Sequence, residues 1–119
     1  MTSKSPKLPS EPRDLFPGAL ELMILQTLHR QSMHGYAMVL HIQQRSHDLL
    51  QVEEGSLYPA LQRLLKAGLV DAEWKISASN RRVRIYSITP DGARHLEREV
   101  SRFEQMLEGI SLVLAPAKG

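Results

Sequence analysis

Between Glu53 and Gly92 the hydrophobic period changes twice, and this limits the folds open to the chain. In EEGSLYPALQRLLKAG the residues Leu57, Leu61, Leu64 and Leu65 share one face of a helix running from about Glu54 to Ala67. Glu53 and Glu54 lie near its start, where negative charge suits the helix dipole. Lys66 sits in the last turn and Gly68 follows as a stop. Pro59 is expected in the first turn or so, where it is tolerated. Leu69 to Trp74 then reads as a strand. A second strand runs to about Ile88, with Val83, Ile85 and Ser87 alternating against Arg82, Arg84 and Tyr86. The small polar run Ser77-Ala78-Ser79-Asn80 is the flexible tip between them. Thr89-Pro90-Asp91-Gly92 is a helix start, with a threonine cap, proline first and an acid in the first turn.

The remaining segments complete the order. Residues 1–14 read as a flexible arm, because Pro6, Pro9 and Pro12 recur in a polar background. A first helix begins near Phe16-Pro17 and carries the stripe Leu20, Ile24 and Leu28, with Met23 and Thr27 beside it; Leu25 lies off the stripe and is expected to face a partner. A second helix starts at His34-Gly35, buries Met38, Val39 and Ile42, and ends at Ser46-His47-Asp48. Leu49 to Val52 is expected to form a very short strand. The chain is therefore mainly α with a small β-hairpin: a winged helix-turn-helix over 15–89, a long C-terminal dimerisation helix over 90–115, and a tail over 116–119.

Composition narrows the function classes. There is no cysteine, hence no disulfide framework or thiolate zinc site. No apolar run can span a bilayer, and the N-terminus has no stretch resembling a signal peptide, so a cytoplasmic protein with no membrane partner is expected. His34 and His41 stand too far apart for one ion, and no His-Glu-x-x-His pattern occurs. A phosphate loop, a dinucleotide glycine pattern and a catalytic triad are likewise missing from the sequence. The expectation is no enzyme, no metal and no cofactor. Net charge is only +2, so a nucleic-acid role must come from local clusters.

Two such clusters exist. On the third helix, Ser56, Pro59, Gln62, Arg63 and Lys66 point away from the leucine face, with Tyr58 at the boundary. Gln62 is suited to a base edge, Arg63 to a guanine or a phosphate, and the Tyr58 hydroxyl to a phosphate. On the hairpin, WKISASNRRVRIYSI holds four cations and no acid. Lys75, Asn80, Arg81, Arg82 and Arg84 are its candidate DNA contacts, supplying phosphate anchoring with little sequence information. Trp74 reads as a packing residue. A basic hairpin alone is equally a solvated strand edge protected by charge. The two clusters in this chain order favour double-stranded DNA, with the third helix in the major groove and the hairpin as the wing.

Along the last helix Leu96, Val100, Phe103, Leu107, Ile110 and Leu114 are spaced four, three, four, three and four, with Ala93 extending the series backwards. This is a heptad seam among charged neighbours. A helix of about 25 residues reaches roughly 38 Å at 1.5 Å per residue, longer than a three-helix core can cover. A homodimer seam follows, and two-fold symmetry implies a palindromic site with recognition helices about 34–36 Å apart.

The segments PGALELMILQTL, HGYAMVLHI, VEEGSLYPALQRLLKAGLV and NRRVRIYSITPDG resemble, in order, the short members of the PadR family of bacterial transcriptional regulators. The likeness covers about residues 17 to 92. It departs from the family's wing at Ile85 and Ser87. The resemblance implies a homodimeric repressor, usually of a nearby operon, that dimerises through its last helix with help from the first. Some relatives bind flat aromatic or drug-like ligands between these helices and release DNA. A small aromatic effector is thus an open expectation, since the last helix here carries Phe103 but no tryptophan. The alternative is a winged-helix protein-interaction module without specific DNA binding, which would tend to carry acids or large apolar residues on the outward face of the third helix.

Overall fold

The computed structural model describes residues 18–117. The expected arm over 1–14 and the helix start at Phe16-Pro17 lie outside these residues. The elements run α1 (Ala19–Arg30), α2 (Gly35–Arg45), α3 (Glu54–Lys66), β1 (Val70–Ile76), β2 (Arg82–Ile88) and α4 (Pro90–Leu114). The expected order of three helices, a hairpin and a helix holds.

The helical stripes of α1, α2 and α3 meet in one core. Ile24, Leu25, Met38, Leu57, Leu61 and Val70 are its most completely buried large side chains. Each contributes about 1.5–3 kcal/mol by leaving water. Leu25 therefore faces the chain's own core, not a partner. Its place is decided by α3 and α4, which together cover a wider arc of α1 than one stripe.

Three local expectations are corrected. Leu49 to Val52 forms no strand. His47 and Asp48 both take left-handed backbone angles (φ 53° and 65°), which turns the chain, and Ser46 Oγ accepts from the Leu50 amide at 3.0 Å. The residue that does pair with β2 is Met33, which exchanges backbone hydrogen bonds with Tyr86 at 3.0 and 3.2 Å. Pro59 lies beyond the first turn, and the Gly55 carbonyl loses its helical donor. The cost is limited because Gly55 is exposed to solvent. The hairpin tip is an ordered turn, not a loose one. The Asn80 amide donates to the Ser77 carbonyl at 2.9 Å, and the Ser77 amide to the Arg81 carbonyl at 2.8 Å. Asn80 itself sits at φ 63°, a conformation asparagine tolerates better than most residues.

The strands pair antiparallel from Val70↔Ile88 to Ile76↔Arg82. Opposite residues share a face, so Val70, Ala72, Trp74 and Ile76 stand with Arg82, Arg84, Tyr86 and Ile88. The half of this face nearest the helices is core: Val70 and Tyr86 are buried. The outer half extends past the core.

α4 is anchored at its first turn. Thr89 Oγ1 accepts from the Gly92 amide at 2.9 Å and donates to the Gly68 carbonyl at 2.8 Å. The Thr89 amide donates to the Leu69 carbonyl at 3.1 Å. Gly92 is required here, since a Cβ would stand 2.1 Å from the Leu69 carbonyl oxygen. Leu96, expected in a dimer seam, is buried in the chain's own core, and Val100 packs against that core. Further on the helix leaves the domain. Met106, Leu107, Ile110, Leu112, Val113 and Leu114 are all exposed, and the described chain is 61 Å in its longest dimension.

Candidate nucleic-acid interface

The outward face of α3 is built by the helical period. Leu57, Ala60, Leu61 and Leu64 are buried, which turns Pro59, Gln62 and Lys66 to solvent as one exposed stripe, with Ser56 half-buried at its flank. A shallow depression beside this stripe is lined by Gln62, Arg63, Leu65 and Lys66 of α3 and by Arg84 of β2. Two cluster candidates from different elements thus meet at one surface. An amide that can read a base edge and cations for phosphates stand side by side there.

Tyr58 marks the other flank of α3. Its ring lies over Gly35, where a Cβ would fall 2.5 Å from the phenol oxygen. The His34-Gly35 pair at the start of α2 and the tyrosine of α3 are therefore fitted to each other. His34 caps α2 by accepting the Ala37 amide on Nδ1 at 3.3 Å. Partial burial pushes the Tyr58 phenol above its ordinary value, and the Glu54 carboxylate and Tyr86 phenol add to the rise. The hydroxyl is consequently a proton donor at neutral pH.

Arg63 is not free. Its guanidinium grips one Glu21 carboxylate oxygen of α1, with Nη2 at 2.6 Å and Nε at 2.8 Å. The arginine side chain is 61% exposed and the glutamate 26%, so the pair contributes little stability, about 0.2–1 kcal/mol. It does set where the guanidinium points. The partners are 42 residues apart, and no local pattern in the sequence announces them.

On the wing, the candidates divide between two faces. Arg82 and Arg84 stand on the face shared with Tyr86. Lys75 pairs with Val83 in register and so stands on the opposite face, where its ammonium lies 3.5 Å from the Glu73 carboxylate. Arg81 is exposed at the tip, and its amide donates to Ser77 Oγ at 3.2 Å. Asn80 serves the turn through its backbone.

Trp74 is not a packing residue. It is 55% exposed, and Arg82 lies over its ring at 4.5 Å from the centroid. Ile76 beside it is 64% exposed. The period-two register would have placed Trp74 on the arginine face, had the pairing been known. Among the described residues no group of histidines and carboxylates could hold a metal ion, and no helix is long and apolar enough to cross a membrane.

A three-helix core whose third helix lies beside an arginine-bearing hairpin is the architecture of a winged-helix transcriptional regulator. The chain belongs to the PadR-like family of transcriptional regulators, whose family model matches residues 24–98. Members of this family are regulators, not enzymes. The chain is similar to a PadR family regulator from Eggerthella lenta, with 27% identity, 85% of this chain and 86% of that chain covered, and a TM-score of 0.72. It shares its fold with a transcriptional regulator from Clostridium thermocellum, at 24% identity, with 86% and 96% coverage and a TM-score of 0.77. It also shares the fold of Bacillus subtilis PadR, whose structure is a complex with operator DNA. That likeness has 20% identity, spans 68% of this chain and 47% of the other, and has a TM-score of 0.62.

Proposed function

We propose that this regulator is a homodimeric, sequence-specific repressor that binds a palindromic operator. The reading unit is the winged helix of residues 15–89, and α4 within 90–115 is the dimerisation helix. The observation that carries the proposal is the surface where Gln62 and Lys66 of α3 meet Arg84 of the wing. It supports α3 in the major groove, with Gln62 at base edges, and with Ser56, Tyr58 and Lys66 at phosphates. Arg81, Arg82 and Arg84 then anchor the flanking backbone, with Lys75 a weaker contributor on the far face. Arg63 lies at the same surface with Nε and Nη2 engaged by Glu21, so in the paired state it is a weaker contributor than Lys66.

The exposed apolar residues on the second half of α4 support the dimer. Leu107 and Ile110 are 39% and 37% exposed and Leu114 75%, and such a row of exposed apolar residues on a helix calls for a second surface. Phe103 stands half-buried at the point where α4 leaves the domain. A cleft between α1, α3 and α4, lined by Leu25, Phe103, Glu21, Arg63, His95 and Arg102 among others, supports response to a small aromatic effector. An effector there would sit against the Glu21–Arg63 pair and so against a recognition-helix side chain.

The test is a gel shift with the DNA upstream of the protein's own gene, at two salt concentrations, against random competitor. Specific retention that survives competitor is expected. Equal loss to random DNA would leave a charged surface without sequence reading, and no binding at either salt would refute the DNA role.

A further inference from the structure

We infer that Trp74 is a positioning residue for the DNA backbone: its indole holds the Arg82 and Arg84 guanidiniums in place on the wing face beside α3. The inference rests on the DNA-binding reading above.

Trp74 is the chain's single tryptophan. It lies opposite Arg84 in the outer half of β1. The core on that face ends at Val70 and Tyr86, so the ring does not fill it. Charge is what touches the ring. Arg82 lies 4.5 Å from its centroid and Arg84 5.7 Å, and Arg84 is also 5.8 Å from the Tyr86 ring. A stacked guanidinium uses its flat face and keeps its in-plane N–H donors for an anion. A free arginine samples many rotamers and loses that freedom on binding; stacking removes much of it beforehand.

Among the described residues no carboxylate pairs with these two arginines. The nearby acid, Glu73, meets Lys75 on the opposite face. Arg84 Nε is buried without an acceptor among the described residues, so that one donor is not open to an anion, and Arg84 would meet a phosphate through its terminal N–H groups. The arginines are therefore held by aromatic rings instead of by acids. An acid would neutralise the charge that DNA needs, whereas a ring orients the group and leaves the charge intact.

The test is a double-mutant cycle. Trp74→Leu keeps an apolar side chain in the strand and removes the π face; Trp74→Phe restores a ring. Each is made with and without Arg82→Ala, and binding to random-sequence duplex is measured at two salt concentrations. Trp74→Leu is expected to weaken binding about two- to fivefold per protomer, the span of an exposed cation–π contact. The loss should shrink in the Arg82→Ala background and be largely recovered in Trp74→Phe. The urea midpoint should stay at the wild-type value. In free protein, Arg82→Ala should shift the emission of the lone indole. An equal loss with and without Arg82, and again with Arg82→Ala and Arg84→Ala combined, would overturn the positioning role while DNA binding stands. A wild-type protein that binds no DNA would remove the DNA reading, and this role with it, even if the indole still senses Arg82→Ala.

Discussion

Gly92→Ala puts one methyl group where the start of α4 passes Leu69, in the turn between α3 and β1. The added Cβ would lie 2.1 Å from the Leu69 carbonyl oxygen and 2.8 Å from Ile88 Cγ1. The first contact is with backbone, so no side-chain rotation relieves it. The same carbonyl accepts the Thr89 amide, so moving it loosens the cap of α4. Overpacking costs about 1–3 kcal/mol and the strained hydrogen bond about 0.5–1.5 kcal/mol. Alanine's better helix propensity returns at most about 1 kcal/mol. The net expectation is a loss of about 2–3 kcal/mol, or roughly 10–20 °C in Tm for a domain of this size. Urea and thermal unfolding at one fixed protein concentration would measure it, because association shifts the midpoint. Gly55→Ala is the control: its Cβ would meet nothing within 4 Å, and it should unfold at or slightly above the wild-type midpoint. A Gly92→Ala protein as stable as wild type would refute the close approach of α4 to Leu69.

Other perturbations address the surface. Glu21→Gln releases Arg63 from its exposed ion pair, and DNA binding at low salt should tighten up to about fivefold, the upper end for such pairs; unchanged or weaker binding would show that the pair does not restrain Arg63. Ile110→Asp should abolish the proposed dimer in sedimentation with little effect on the protomer, because Ile110 is exposed in the single chain; an unchanged dimer would move the interface elsewhere. Tyr58 should ionise above 10.0, read as the difference between wild type and Tyr58→Phe in a spectrophotometric titration. The folded state then holds this proton longer than the unfolded one. The associated stability is present below the ordinary value and lost as pH rises through the higher folded value. A midpoint at or below the ordinary value would contradict the burial of the ring over Gly35.

Periodicity alone determined the order of elements. The leucines of α3, the alternation in β2 and the Thr89-Pro90 cap are local signals, and local hydrogen bonding or one-sided burial is enough to produce them. The outward positions of α3 were legible for the same reason: once Leu57, Leu61 and Leu64 face inward, Gln62 and Lys66 must face out. What the tertiary structure decided is everything that depends on a distant neighbour. Leu25 and Leu96 became core because α3 and α4 cover more of α1 than one stripe predicts. Arg63 was captured by Glu21, a partner remote in sequence. Trp74 was left open because the hairpin outruns the core, and strand register then brought Arg82 and Arg84 onto its ring. Patterns along a chain encode which way a side chain points from its own element; they do not encode what stands opposite it, because that is set by how separate elements pack.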